Sequence, residues 1–148
     1  MEGQNVLTMT RRTEFSAAHR YHNPAWDEAR NLVAFGACTR VHGHNYQLEV
    51  SVTGPIDPRT GMLFNMTVLK AILEDEVRAR FDHRQLERDV PELTGCIPTS
   101  ENVARAIWDH LAPRVAAAEG GRCRLSRLRL FETGSLYVEL GEECKWSS

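Results

Sequence analysis

His42-Gly43-His44 sets two imidazoles two residues apart, so on a strand both point to one face and could grip one metal ion. Gly43 removes a side chain where a ligand or another backbone might approach. His19 ends a segment in which Phe15 and Ala17 have the same parity, and pairing that segment with the one after His42 would gather three imidazoles. Three neutral nitrogens with an open fourth position form a catalytic zinc arrangement, whereas a structural site is closed. His-x-His pairs also occur on surfaces and loops, so the spacing alone leaves the metal reading open.

Three further positions could act beside such a centre. Cys38 lies four residues before His42, after Gly36, and could be a fourth ligand, a nucleophile or base, or a small packed hydrophobe. Asp82-His83 could form a carboxylate–imidazole pair that activates a thiol; equally, His83 could be a residue that stabilises a helix C-terminus. Glu132 shares the parity of Leu128 and Leu130, and a carboxylate on an apolar strand face is costly unless paired. It would suit a ligand offering two adjacent N–H donors; the alternative is an exposed strand end.

The elements that must position these residues follow from periodicity. Leu7 to His19 reads as a strand and residues 20–40 as a long loop. Tyr46, Leu48, Val50 and Val52 alternate with Gln47, Glu49, Ser51 and Thr53, the period of a half-buried strand. Asn65 caps a helix reaching about Arg80, with Leu69, Leu73 and Val77 on one side. Pro98-Thr99-Ser100-Glu101 starts a second helix whose stripe is Val103, Ile107, Leu111 and Val115, closed by Gly120-Gly121. Arg124 to Phe131 and Leu136 to Leu140 are two more strands, the first an Arg-rich stretch read as a solvated face. The grouped order β-β-α-α-β-β predicts an α+β fold: a four-stranded antiparallel sheet with two helices on one face. One covered face and open sheet edges make self-association an expectation.

Composition narrows the partners. The 148 residues carry 18 Lys+Arg against 20 Asp+Glu, a net charge of −2, which argues against nucleic acid. The longest apolar or small stretch, Leu32 to Cys38, is far too short to cross a membrane. Met1 to Arg12 lacks a secretory core, and Cys38, Cys96, Cys123 and Cys144 form no CxxC pair, so a cytoplasmic protein with reduced thiols is expected. The length fits one domain, residues 1–148, with a core over about 7–142 and a short C-terminal tail.

The chain resembles the 6-pyruvoyl-tetrahydropterin synthase and 6-carboxy-tetrahydropterin synthase family from about Thr13 to Glu142. The matching pieces, in order, are Phe15-Ser16-Ala17-Ala18-His19, Phe35-Gly36-x-Cys38, His42-Gly43-His44-Asn45-Tyr46, Gly61-Met62, Leu69-Lys70, Asp82-His83, Pro98-Thr99-Ser100-Glu101-Asn102 and Glu132-Thr133. The resemblance implies the tunnelling fold, in which three subunits close a barrel of strands and two trimers stack as a homohexamer. It implies zinc on His19, His42 and His44, a thiol base at Cys38 assisted by Asp82 and His83, and Glu132 as the anchor of a pterin ring, with Thr99, Ser100 and Glu101 near it. The implied activity is that of a zinc-dependent carbon–carbon or carbon–oxygen lyase on 7,8-dihydroneopterin triphosphate, a small-molecule substrate.

Two product branches exist in that family, tied to queuosine and to tetrahydrobiopterin biosynthesis. Three residues separate Cys38 from His42, a spacing that resembles the branch making 6-carboxy-5,6,7,8-tetrahydropterin with release of triphosphate and acetaldehyde. On that spacing the carboxy product is expected. The long segment His22–Phe35 and the Asn65 of Leu63-Phe64-Asn65 look more like the branch that only eliminates triphosphate and gives the 6-pyruvoyl product. A non-catalytic zinc- or pterin-binding module is the remaining alternative, but it would not need Cys38, Asp82 and His83 together.

Overall fold

The computed structural model describes residues 5–142; the expected tail beyond them, with Cys144, lies outside the described residues. Strand β1 (Leu7–His19) pairs antiparallel with β2 (His42–Gly54) over their whole length, from Leu7 opposite Gly54 to His19 opposite His42. The period-two segment is the middle of β2, and Tyr46, Leu48, Val50 and Val52 are all fully buried. Strand β4 (Arg124–Thr133) lies on the other side of β2, and β5 (Leu136–Gly141) outside it.

The strand count differs from the expectation. A two-residue strand, β3 (Arg84–Gln85), runs parallel to β1 beside Ala17 and Ala18, so the sheet is five-stranded and mixed, in the order β3-β1-β2-β4-β5. The chain leaving the first long helix passes the free edge of β1, where the His83 N–H donates to the Ser16 carbonyl at 2.6 Å. No hydrophobic pattern marks so short a strand; it exists because β1 has an edge to satisfy.

The helices also depart in detail. Residues 20–40 contain a helix, α1 (Glu28–Phe35), and a 3-10 turn over Gly36–Thr39. Asp27 caps α1 by accepting from the Arg30 N–H, and its buried residue is Asn31, which bonds the Asn23 backbone in both directions. With a polar residue inward and Leu32 and Val33 exposed, α1 shows none of the apolar spacing by which helices are recognised. The helix capped by Asn65 begins as α2 (Met66–Leu73), widens into a π turn over Glu74–Arg78 and ends with a last turn, α3 (Ala79–Phe81). Glu76 is buried in that π turn and accepts from Arg80 and Arg114, each at 2.8 Å. A short α4 (Leu86–Asp89) precedes α5 (Ser100–Ala117), where Thr99 accepts from the Asn102 N–H and Val103, Ile107, Leu111 and Val115 are fully buried.

The core lies between α2, α5 and one face of the sheet, with Phe15, Tyr46, Leu48, Val50, Leu128 and Leu130 contributed by the strands. The opposite face is polar in rows that cross the strands. Arg12, Glu49, Arg129 and Glu139 form a ladder of ion pairs, and Thr8, Thr10, Ser51, Thr53 and Ser126 form a ladder of hydroxyls. The Arg-rich stretch accordingly serves that face, with Arg127 and Arg129 reaching Glu139.

Candidate metal centre and active site

The β1–β2 register decides the site. His19 stands opposite His42, and Ala17 opposite His44, so the three imidazoles share the helix-facing side of the sheet at one end. One nitrogen from each of His19, His42 and His44 lies within 4.8 Å of the others, and the ring centroids are 4.6 to 5.1 Å apart. Gly43 keeps the strands close here, since a Cβ on it would sit 3.3 Å from the Ala17 carbonyl oxygen.

Hydrogen bonding fixes which nitrogens face the centre. His19 Nδ1 is 2.8 Å from the Pro98 carbonyl and His42 Nδ1 is 2.7 Å from the Arg40 carbonyl. A carbonyl only accepts, so each Nδ1 carries the proton and each Nε2 keeps its lone pair. His19 is fully buried, and its Nε2, like that of His44, is buried with no hydrogen-bond partner among the described residues. Burial lowers the pKa of both His19 and His44, with the His42 charge acting in the same direction and Glu132 opposing it. Neutral imidazoles with inward, unpartnered lone pairs are what a metal ion requires, so the donor set fits one.

Glu132 stands beside these three histidines. It falls at a register break between Phe131 and Thr133, and keeps the inward direction of Leu128 and Leu130. Its carboxylate is 12% exposed, with Oε1 at 3.1 Å from His44 Nε2 and 3.4 Å from His19 Nε2. The inward reading of its parity therefore holds, and the exposed strand end does not.

The remaining candidates divide. Cys38 is half-buried in the 3-10 turn before His42, and its carbonyl accepts from the Tyr21 N–H at 2.8 Å. The Thr99–Glu101 segment reaches the site through Pro98, which holds His19; Thr99 caps α5, and the buried Ser100 hydroxyl has no partner among the described residues. Asp82 and His83 do touch, Oδ2 to Nδ1 at 2.8 Å. The Ser16 N–H first, and His83 and Arg78 after it, hold the Asp82 carboxyl below the usual carboxylate range. His83, at φ +58° and with 84% of its side chain exposed, borders a groove of about 560 Å³ with Ser16, Ala18, His44 and Asn45, at the β3–β1 edge of the sheet. Among the described residues no hydrogen bond or ion pair joins Asp82 or His83 to Cys38.

Two tyrosines complete the walls. Tyr46 stacks on Phe15 at 4.9 Å and brings its hydroxyl to 3.3 Å from His19 Nδ1, and burial raises its pKa. Tyr21 stands edge-on to His19 with centroids 5.0 Å apart. Tyr21 was not singled out above, although it continues the parity of Phe15, Ala17 and His19, and that was the signal available.

Comparison with known proteins agrees with the geometry. The sequence profile described as 6-pyruvoyl tetrahydropterin synthase matches residues 8–143. A 6-pyruvoyl tetrahydrobiopterin synthase of Drosophila melanogaster is 46% identical over 113 residues, 75% of this chain and 67% of that one. The solved 6-pyruvoyl tetrahydropterin synthase of Caenorhabditis elegans superposes with a TM-score of 0.84 at 32% identity, over 95% of this chain and 99% of the other. An Archaeoglobus fulgidus protein provisionally named 6-carboxy-5,6,7,8-tetrahydropterin synthase is 35% identical over 77% of this chain and 82% of its own. Sequence match and superposition run from β1 to the last strand and take in every residue of the histidine cluster, and on that extent the chain belongs to the 6-pyruvoyl tetrahydropterin synthase family.

Proposed function

We propose that the protein is a zinc-dependent lyase that eliminates triphosphate from 7,8-dihydroneopterin triphosphate and yields a 6-pyruvoyl tetrahydropterin. The observation that supports it most is the cluster of three inward imidazoles beside a nearly buried carboxylate, with a half-buried thiol four residues before His42 in the chain. The relatives favour this product over the carboxy product expected from the Cys38–His42 spacing: those at 38% to 46% identity carry 6-pyruvoyl names, against 35% for the carboxy-type relative. Loop length between two site residues is easily altered without changing the chemistry.

In this reading His19, His42 and His44 hold the zinc, which when bound supplies a Lewis acid that lowers the cost of negative charge on the substrate's side-chain oxygens. Cys38 takes the proton from the adjacent carbon, the bond to the triphosphate oxygen breaks, and internal redox rearrangement of the pterin and its side chain gives the product. Glu132 accepts the neighbouring ring N–H and amino donors side by side, a charge-assisted pair that fixes the ring. Incubation with 7,8-dihydroneopterin triphosphate should release inorganic triphosphate; none from the zinc-loaded protein would overturn the proposal.

Glu132→Gln sets a donor against donors and should weaken substrate binding by about 1–3 kcal/mol. Zinc content, read by elemental analysis, should not change. Loss of the metal in that variant would make Glu132 a fourth ligand in place of an anchor.

The placement of Asp82 and His83 supports assembly. An exposed His83 with no bond to the Cys38 of its own chain can serve the Cys38 of a neighbouring copy, and β5 leaves a sheet edge with Leu136 and Tyr137 exposed for strand pairing. We therefore expect a homohexamer, a dimer of trimers with sites at subunit interfaces. Light scattering at micromolar concentration should report six chains, and a monomer would contradict it.

A further inference from the structure

Tyr21 takes no part in the reaction above, yet it touches both halves of the site. Its backbone N–H is, among the described residues, the hydrogen-bond donor that joins the Gly36–Thr39 turn to the end of β1, through the Cys38 carbonyl at 2.8 Å. The turn's other bonds are local, from the Thr39 hydroxyl to the Gly36 carbonyl and from the Arg40 N–H to the Ala37 carbonyl, and none of its residues is buried. Left to itself, such a turn would not hold a side chain in one place.

The ring adds the second tie. It stands edge-on to His19 at 5.0 Å and to Phe35 at 5.8 Å, and lies 6.4 Å from His42. Phe35 is the last residue of α1, and the turn carrying Cys38 starts at the next residue. Trp26 stacks on Phe35 from its other side at 6.0 Å, with the Arg30 guanidinium 4.2 Å over Trp26. One aromatic side chain therefore spans from the histidine cluster to the root of the turn that bears the thiol.

We propose that Tyr21 is a positioning residue: its ring and its backbone N–H set the Cys38 thiol against the three histidines. This rests on the reading of Cys38 as base.

Two variants separate the ring from the hydroxyl. In the zinc-loaded protein, Tyr21→Phe keeps both the ring and the backbone N–H and is the conservative variant that should escape the loss seen on removing the ring. Tyr21→Ala removes the ring and should lower kcat on the order of 10²-fold, the cost of a misplaced reacting group, while keeping its metal. Alkylation by iodoacetamide, followed on the Cys38 peptide by mass spectrometry, should be faster in Tyr21→Ala and parental in Tyr21→Phe. Parental kcat and alkylation in Tyr21→Ala, or loss of metal from it, would overturn the role toward Cys38. A kcat loss in Tyr21→Phe equal to that in Tyr21→Ala would overturn the role of the ring. If the parent itself released no triphosphate, the proposed function would fall, and the alkylation rates would still decide for or against Tyr21.

Discussion

Cys38→Ala should keep its fold and its zinc and lose turnover by about 10²–10⁴-fold, the range a positioned base contributes. Cys38 lies half-buried on a surface turn, outside the core between the sheet, α2 and α5, so truncating it to Ala leaves no large cavity. Among the described cysteines the buried one, Cys123, is packed under Gly54 and donates to the Leu63 carbonyl, and burial raises its pKa, so it is a structural residue. Steady-state kinetics alongside zinc analysis checks the expectation. A variant that loses zinc together with activity would show Cys38 to be a fourth ligand, and the site to be a closed, structural one.

His19→Ala should empty the metal site. His19 is the fully buried member of the histidine cluster, held by the Pro98 carbonyl, and only two imidazoles would remain, both on β2, to hold an ion. Removing an outer partner of a metal ligand typically costs 10–100-fold in affinity, and removing the ligand should cost more than that. Turnover should vanish with the metal and not return on adding moderate zinc. His42→Ala and His44→Ala disturb the core less, since both side chains are partly exposed, and should show the same loss. Parental zinc content in all three variants would refute the assignment.

Much of this site was legible because strand parity is strict. Once Tyr46–Thr53 is read as a strand buried on alternate residues, His42 and His44 must share the face of Tyr46, and the pairing of β1 with β2 then brings in His19. Glu132 was legible by the same rule, and the bulge beside it preserved the inward direction. What escaped the sequence was set by tertiary contact. Strand β3 is two residues long and answers only to the free edge of β1, and α1 turns Asn31 inward where a pattern search looks for an apolar residue. Adjacency of Asp82 and His83 suggested contact between them, but not that the Ser16 backbone would hold them at the free edge of β1. The Cys38–His42 spacing points to the carboxy branch while the relatives of higher identity carry 6-pyruvoyl names, because a loop spacing reflects only one short segment of the chain.

The most direct test is the identity of the organic product. The zinc-loaded protein is incubated with 7,8-dihydroneopterin triphosphate under anaerobic conditions, and the pterin and any volatile aldehyde are identified by mass spectrometry. The account predicts a 6-pyruvoyl tetrahydropterin formed together with triphosphate and without acetaldehyde. Recovery of 6-carboxy-5,6,7,8-tetrahydropterin with an equal amount of acetaldehyde would contradict it.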